Sequence, residues 1–369
     1  MKSRLDSFLL GLLALFVGSW AAAIPIQQGM SYTPWGNDLS DPGTLAAFQI
    51  SADRMSSDDV NWVALNVFEF QATPTSTVIL PDFGSYSTSL ATVEKAIEEF
   101  HSRGIKVLLK PNVDVVSGGW RGDIPGSAAW FDDPLGYKAF IGGWAMWAAL
   151  NGVDAFCVGT EFESASWNTA KWQEVVALVR ASFPGPLTYA ANWTEFPSVG
   201  WWSALDYVGI DAYFPLTGTP NPTQAQLGAA WAAIADGIES WLTATCPDKD
   251  VLFTEIGYRS LNGANMAPYA WSPYDTTNVD LPEQAACYSA ALTETWYRPW
   301  MAGYYWWNWE TSPDAGIDPA TGLPMNDYTP QNKPAELVLR EVYTPEPTTL
   351  LLLASGALAL ARRRRRRAA

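Results

Sequence analysis

The chain has 369 residues, of which 48% are hydrophobic and only 16% are charged, and its net charge is −16. This length suffices for one large core, while the acidity opposes binding to nucleic acid and to anionic polymers at low salt. His101 is the single histidine, which excludes histidine-dependent catalytic triads and histidine-ligated zinc. A neutral substrate is therefore favoured, and neither a metal nor a cofactor is expected.

The first 23 residues have the pattern of a secretory signal peptide. Lys2 and Arg4 precede an apolar run at residues 8–17, and the small residues 21–23 offer a cleavage site. The run is too short to span a bilayer comfortably, so a retained anchor is the less favoured alternative. We therefore expect the mature chain to begin after residue 23.

The C-terminal residues form a second targeting segment. Pro345-Glu346-Pro347 is followed by an apolar stretch at 350–361 and by six arginines at 362–367. This order resembles the PEP-CTERM sorting signal, which in Gram-negative bacteria implies recognition by an exosortase, removal of the tail, and placement at the cell surface or in the extracellular matrix. An apolar helix followed by arginines fits transient membrane contact with positive-inside topology better than nucleic-acid binding. The sequence thus divides into a signal peptide (1–23), a body (24–343) and a sorting tail (344–369).

Within the body, segments predicted as strands alternate with segments predicted as helices. The predicted strands are residues 29–35, 61–70, 105–109, 155–158, 187–193, 205–213, 251–253 and 303–310. The predicted helices are residues 94–103, 137–150, 169–182, 225–242 and 333–343. This alternation indicates an α/β protein with one domain, a (β/α)8 TIM barrel. Long loops at 261–283 and 311–331, rich in Pro, Gly, Asn and Asp, are expected to wall a cleft at its rim.

The three cysteines carry less information. Cys157 lies in a predicted buried strand and is expected to be a core thiol. Cys246 and Cys287 could pair in an oxidising periplasm, but their spacing does not establish it.

Two predicted strands end in a carboxylate. The apolar run at 251–253 leads to Glu255, and the run at 155–158 leads to Glu161. Active sites of α/β barrels lie where the C-terminal strand ends meet, and two carboxylates at one rim are what glycoside hydrolysis needs. Glu163 and Asp211 are rival carboxylates. Glu163 is expected to begin the next loop, and Asp211 to lie deeper in its strand as a supporting partner.

Polar and aromatic side chains follow the other strands. Hydroxyl-binding groups mixed with aromatic faces are typical of carbohydrate sites. We expect Asn192 and Tyr213 to orient the carboxylates and the substrate, and Trp193 and Trp307 to stack on sugar rings. For Trp120 and Arg121 a purely structural stack is nearly as favoured. The full set of predicted substrate-binding residues is Lys110, Asn112, Trp120, Arg121, Asn192, Trp193, Tyr213, Tyr258 and Trp307.

Several short motifs, taken together and in their order along the chain, resemble those of glycoside hydrolase family 113. The likeness extends from about residue 29 to 343, and its motifs lie at residues 110–114, 120–124, 158–161, 188–193, 206–213 and 254–260. The resemblance implies a retaining endo-β-1,4-mannanase on a barrel, with Glu161 as acid/base after strand four and Glu255 as nucleophile after strand seven. Relatives commonly carry histidine where this chain has Asn112, which cannot be protonated and puts the substrate preference in doubt.

The sequence therefore predicts a secreted, surface-sorted retaining β-glycanase that acts as a monomer on a polysaccharide. A hydrolase of another neutral β-linked polysaccharide is the alternative among enzymes. A non-catalytic carbohydrate-binding or matrix protein is the alternative outside enzymes, and the presence of both Glu161 and Glu255 argues against it.

Overall fold

A computed structural model of the protein describes residues 26–84 and 86–344. The predicted signal peptide and all but the first residue of the predicted sorting tail lie outside the described residues. Within the described part of the chain, no helix is long and apolar enough to cross a membrane.

The described residues form a closed barrel of eight parallel strands, joined in sequence order from the first to the eighth and back to the first. The prediction of a (β/α)8 barrel is confirmed. Apolar, β-branched runs suit such strands because both faces of a parallel sheet are covered. The strands are β1 (Gln27–Tyr32), β2 (Trp62–Gln71), β3 (Lys106–Val115), β4 (Ala155–Thr160), β5 (Leu187–Asn192), β6 (Tyr207–Asp211), β7 (Asp250–Ile256) and β8 (Met301–Trp309).

Helices surround the barrel and pack on its outer face. Three of them, α1 (Pro42–Ser57), α3 (Ala128–Asp132) and α7 (Leu281–Thr295), were not predicted. Polar residues interrupt the apolar pattern of α1, α3 has only five residues, and the buried face of α7 includes Glu283 and Gln284. The starts of α1 and α7 are marked by aspartate caps: Asp41 accepts the Thr44 N–H at 2.8 Å, and Asp280 accepts the Glu283 N–H at 2.9 Å. The helices are α1 (Pro42–Ser57), α2 (Leu90–Ser102), α3 (Ala128–Asp132), α4 (Tyr137–Leu150), α5 (Thr169–Ser182), α6 (Gln224–Thr245), α7 (Leu281–Thr295) and α8 (Pro334–Tyr343).

The core has two layers. The larger layer lies between the strands and the helices, and the smaller one fills the interior of the barrel. Small side chains predominate in the interior, which leaves its C-terminal end free for polar groups. The interior cluster consists of Ala64, Leu108, Ala155, Cys157, Ala190, Leu252, Ala302 and Tyr305.

Strand β3 is longer than predicted. It pairs with β2 from Lys106 to Val115, so Lys110 and Asn112 lie within the strand rather than after it. Both side chains are at most 1% exposed, since they are enclosed by the top of the barrel. This placement decides which of the predicted site residues a substrate can reach.

All three cysteines are free thiols. Cys157 is buried in the barrel interior, as predicted, Cys287 is buried in α7, and Cys246 is partly buried at the end of α6. The possible pairing of Cys246 with Cys287 is therefore not formed. Among the described residues, no group of three or more His, Cys, Asp or Glu side chains is placed to hold a metal ion.

Burial raises the pKa of three glutamates, Glu69, Glu195 and Glu310, to about 7. In the unfolded chain a glutamate titrates near about 4.3. Because the folded pKa is the higher one, the stability contributed by these groups is complete below the unfolded pKa and is lost as the pH rises through about 7. We expect calorimetry to show Tm falling by roughly 5 °C or more between pH 5 and pH 8. Glu69→Gln should make the fall smaller, and a Tm that rises over this interval would contradict the expectation.

Candidate active site

Glu161 and Glu255 line the same cavity at the C-terminal rim of the barrel. The cavity has a volume of about 540 Å³. The two carboxylates face one cavity because β4 and β7, which are separated by β5 and β6, both end at this rim. The other lining residues are Trp120, Glu163, Asn192, Trp193, Thr194, Tyr213, Tyr269, Trp271, Trp307 and Tyr328.

Glu161 directly follows β4 and adopts a left-handed backbone conformation with φ of 53°. Its N–H donates to the carbonyl of Ala190 in β5 at 2.8 Å, which holds this unusual turn against the neighbouring strand. The Oε1 atom accepts from Asn192 Nδ2 at 3.2 Å, and Oε2 accepts from Trp120 Nε1 at 3.4 Å. The turn therefore aims the carboxyl group into the cavity between two donors.

The surroundings of Glu161 favour its protonated form. Burial raises its pKa, the guanidinium of Arg121 opposes this, and the negative charge of Glu255 raises it further. A carboxyl group whose pKa is raised by burial and a second carboxylate can act as a general acid. This is the electrostatic arrangement that a proton donor to a leaving oxygen requires.

Glu255 lies one residue before the end of β7 and is 9% exposed. Its Oε1 forms an ion pair with Lys110 Nζ, and its Oε2 accepts from the hydroxyl of Tyr213 at 2.8 Å. Donors on both oxygens fix the carboxylate in one orientation. The structure thus brings Tyr213 into contact with Glu255 and Asn192 into contact with Glu161.

Lys110 connects Glu255 to Asp211. Its Nζ lies 3.5 Å from Asp211 Oδ2, and the other oxygen of Asp211 accepts from Thr254 Oγ1 at 2.8 Å. Burial lowers the pKa of Lys110, but the carboxylates of Asp211 and Glu255 more than offset it, so the pKa is raised. Burial also raises the pKa of Asp211 well above its ordinary value, against the opposing effect of Lys110. Lys110 therefore lies between the carboxyl groups of Glu255 and Asp211, and Asp211 is more deeply buried than Glu255.

Two predicted substrate contacts at β3 need correction. Lys110 is 0% exposed and contacts Glu255 and Asp211 from below, and Asn112 is 1% exposed. Asn112 Nδ2 donates to the carbonyl of Lys110 at 2.8 Å, and its Oδ1 accepts from Arg121 at 2.7 Å. Both side chains support the site rather than touch a ligand in the cavity.

Arg121 is held by other side chains of the rim. It pairs with Asp114 at 2.7 Å, and its guanidinium lies 5.6 Å from the centre of the Phe68 ring. It does not line the cavity, so the structural alternative describes it better than substrate contact. Its positive charge nevertheless opposes the rise in the pKa of Glu161 that burial causes.

Tyr258 is the fourth predicted contact that does not line the cavity. It is fully buried, its hydroxyl accepts from Trp231 Nε1 at 3.1 Å, and its carbonyl accepts from Gln284 at 2.9 Å. The chain has turned away from the rim after Gly257, so Tyr258 points toward α6 and α7 instead of the cavity.

Aromatic side chains form the walls of the cavity. Trp193 stacks on Tyr269 with 6.2 Å between ring centres, and Trp307 meets the edge of Trp35 at 6.0 Å. Trp271 is 71% exposed. The predicted site residues did not include Tyr269, Trp271 or Tyr328, but the two long loops that carry them were expected to wall the cleft, and these residues line it. The feature of the sequence that could have identified these three residues is the presence of aromatic side chains within the long rim loops.

Trp120 and Glu163 both line the cavity. Trp120 is 40% exposed, lines the cavity and donates to Glu161, which places it at the site. Glu163 is exposed, lies in the loop after β4, and accepts from Thr194 Oγ1 at 3.2 Å. It is therefore farther along the loop than Glu161, as predicted.

A second cavity, of about 560 Å³, lies on the outer side of the barrel between α2 and α4. Its walls are mainly apolar, and its one carboxylate, Glu69, accepts from Trp144 Nε1 at 2.9 Å. Although it is slightly larger than the rim cavity, it contains neither Glu161 nor Glu255. The chemistry therefore points to the rim cavity.

Replacement of Trp307 by alanine should impair saccharide binding much more than folding. Trp307 is partly exposed in the cavity and offers a ring face rather than core volume. We expect affinity for an oligosaccharide substrate to fall about 10-fold, as measured by calorimetric titration, with little change in Tm. Trp231→Ala is the matched control, since Trp231 is fully buried and its loss should lower Tm strongly. A large drop in Tm with intact affinity for Trp307→Ala would assign Trp307 to the core.

The fold and the site together define a barrel glycoside hydrolase, because two differently placed carboxylates face one cleft at the C-terminal ends of β4 and β7. The sequence model of Glycoside Hydrolase Family 113 matches residues 43–329. The chain belongs to this family and is a glycoside hydrolase. The PEP-CTERM protein-sorting motif matches residues 344–366, which confirms the second resemblance.

Solved structures agree with this assignment. A GH113 β-1,4-mannanase is 25% identical, with a TM-score of 0.73 over 87% of this chain and 99% of that one. The GH113 β-mannanase AaManA from Alicyclobacillus acidocaldarius, in complex with ManMIm, is 26% identical, with a TM-score of 0.73 over 88% and 99%. A family 5 mannosidase from Rhizomucor miehei is 11% identical, with a TM-score of 0.57 over 86% and 92%, and shares the fold alone. A search of curated proteins finds no match.

Proposed function

We propose that the protein is an exported retaining endo-β-1,4-mannanase. The observation that carries this proposal is the different environment of the two carboxyl groups in one cleft. Burial and the negative charge of Glu255 raise the pKa of Glu161 against the opposing charge of Arg121, whereas Glu255 is held by Lys110 and Tyr213. Membership of family 113 and the similarity to two solved β-mannanases support the choice of substrate.

In this mechanism Glu255 attacks the anomeric carbon while the bond from that carbon to the leaving oxygen breaks. Glu161 gives its proton to the leaving oxygen, and a covalent glycosyl-enzyme forms. Glu161, now a carboxylate, then removes a proton from water, and the water oxygen displaces Glu255 from the anomeric carbon. Tyr213 and Lys110 hold Glu255 in line for both displacements.

A neutral polysaccharide fits the cleft. Its lining combines aromatic faces with the carboxylates of Glu161, Glu163 and Glu255, and none of the described residues that line it is basic. An acidic polysaccharide would meet repulsion without a compensating cation. Stacking on Trp193 and Trp307 requires only an apolar sugar face, which neutral β-linked chains present.

Asn112 supports a second candidate substrate, another neutral β-linked polysaccharide such as an exopolysaccharide of the cell. The histidine of relatives is replaced here by an amide that contacts Arg121 and the Lys110 carbonyl. The resemblance thus implies that a side chain that cannot be protonated occupies a position near the cleavage point. A screen of the mature protein against mannan, glucomannan, xylan and cellulose tests both candidates. We expect release of reducing ends from mannan and glucomannan, and activity on xylan or cellulose alone would overturn the mannanase assignment.

We also propose that the protein is exported and sorted to the cell surface or the extracellular matrix of a Gram-negative bacterium. The sorting motif at residues 344–366 supports this placement. Intact-mass measurement of protein from the native host should find a chain that lacks the residues before about 24 and the arginines at 362–367, because both segments are addresses rather than parts of the fold. Retention of the six arginines in the native protein would contradict the processing step.

A further inference from the structure

The backbone that presents Glu161 is held by a buried chain of hydrogen bonds. The N–H of Phe162, the next residue, donates to the hydroxyl of Tyr189 at 2.8 Å, and that hydroxyl donates to Glu195 Oε1 at 2.6 Å. Tyr189 is 0% exposed and Glu195 is 2% exposed. A left-handed conformation at a residue other than glycine costs on the order of 1–3 kcal/mol, so the turn at Glu161 needs such restraints to persist.

The second oxygen of Glu195 leads to Glu161 by another route. Glu195 Oε2 accepts the backbone N–H of Asn192 at 3.0 Å, and the side chain of Asn192 donates to Glu161 Oε1 at 3.2 Å. One buried carboxyl group is thus connected both to the backbone after Glu161 and to a donor on its carboxyl group.

We propose that Glu195 is a positioning residue for the acid/base Glu161. This inference rests on the proposed function, because it assumes that Glu161 transfers a proton. Glu195 does not itself line the cavity; its side chain contacts the backbone of the lining residue Asn192, and it acts by fixing where the Glu161 carboxyl group points.

In the ionised form of Glu195, both of its oxygens act as acceptors. Tyr189 has one hydroxyl proton, and giving it to Glu195 leaves the phenolic oxygen free to accept from the Phe162 N–H. A glutamine would present an amide donor either to the Asn192 N–H or to Tyr189. If the amide NH2 faces Asn192, it meets the Asn192 N–H, so two donors face each other. If the NH2 faces Tyr189, the tyrosine hydroxyl proton must turn toward the Phe162 N–H, where it again meets a donor.

The backbone of Glu195 does not depend on this side chain. Its N–H donates to the Asn192 carbonyl at 2.9 Å, and its carbonyl accepts from the Ser198 N–H at 2.8 Å. Glu195→Gln therefore leaves the local turn intact while it disturbs the two branches that meet at Glu161. This separates a positioning role from a general contribution to folding.

The test compares two substrates with the same sugar in the full-length mature enzyme. A polymer or unactivated oligosaccharide needs a proton on its leaving oxygen, whereas a 2,4-dinitrophenyl β-glycoside does not. We expect Glu195→Gln to lower kcat/KM about 100-fold for the unactivated substrate and less than about 5-fold for the dinitrophenyl glycoside. For each substrate, kcat/KM reports the glycosylation step, in which Glu161 acts as the acid. The ratio of the two kcat/KM values therefore measures how much that step depends on proton donation.

Tyr189→Phe is the second variant and keeps the ring that packs beside Trp172 and Trp201. It should reproduce the same selective loss, even if Glu195→Gln fails to fold. Glu69→Gln is the matched control, because Glu69 is also a largely buried glutamate but lies outside the rim cavity, and it should leave the ratio unchanged. Equal losses on both substrates in folded Glu195→Gln and Tyr189→Phe would overturn the proposal.

Glu161→Ala in the same assay separates this proposal from the proposed function. If Glu161→Ala shows the leaving-group selectivity and the Glu195 and Tyr189 variants do not, the positioning role fails while the mechanism stands. If Glu161→Ala shows no selectivity, the acid/base assignment fails first, and the positioning role falls with it.

Discussion

Replacing Glu255 by glycine should abolish hydrolysis and allow azide to restore turnover with an α-glycosyl azide as product. The substitution removes the carboxylate that attacks the anomeric carbon and leaves a small space between Lys110 and Tyr213. We expect kcat on the polysaccharide to fall on the order of 10⁴-fold or more. Azide that enters the space attacks an activated β-glycoside directly, and this single displacement inverts the configuration. NMR of the azide product gives its anomeric configuration.

The same experiment with Glu161→Ala should give the opposite anomer. Glu255 still forms the glycosyl-enzyme when the leaving group needs no protonation, and azide then resolves it to a β-glycosyl azide. For the unmodified enzyme the two carboxyl groups should lie about 5 to 5.5 Å apart, which leaves no room for a directly attacking water, and the first sugar released should be β. An α-configured first product from the unmodified enzyme would rule out retention and make Glu255 a base.

The sequence was sufficient to predict the barrel and the two carboxylates because both depend on local patterns. Apolar runs that end in a polar residue mark buried strands, and the parallel arrangement brings all their C-terminal ends to one rim. Glu161 and Glu255 needed only this rule to be placed in one cleft, as the structure shows. Asn192 and Tyr213 followed from the same rule, since each lies at or just after the end of its strand.

The errors concern the direction of side chains rather than the position of elements. Lys110 and Asn112 were expected at the surface of the rim, but β3 continues to Val115 and keeps both of them inside the barrel. Tyr258 was expected beside Glu255, but the turn at Gly257 sends it toward α7. Strand length and turn geometry depend on pairing with neighbouring strands, which one sequence does not reveal.

Glu195 shows a further limit. In the sequence it is an ordinary glutamate in a polar loop, and no motif distinguishes it. Its contacts with Tyr189 and Asn192 arise because the loop after β5 folds back under the end of β4. A network of this kind depends on tertiary contacts between three segments, so only the structure makes it visible.

Replacing Lys110 by methionine should destabilise the protein strongly as well as inactivate it. Lys110 is fully buried, and its one positive charge lies between the carboxyl groups of Glu255 and Asp211. Methionine fills nearly the same volume without the charge, so two buried carboxyl groups lose their counterion. Removing one partner of a buried ion pair costs about 3–5 kcal/mol in the free energy of unfolding, which urea titration measures.

Two further variants test whether the loss of stability in Lys110→Met comes from the missing counterion. Lys95→Met removes an exposed lysine that pairs with Glu98, and it should leave the urea midpoint of unfolding nearly unchanged. In the double variant Lys110→Met with Asp211→Asn, one of the two uncompensated carboxyl groups is gone, so part of the lost stability should return. Activity should not return with it, because Glu255 still lacks the cation that orients it. Recovery of activity in the double variant would mean that Lys110 serves only to balance Asp211, whereas recovery of stability alone assigns it to Glu255 in catalysis.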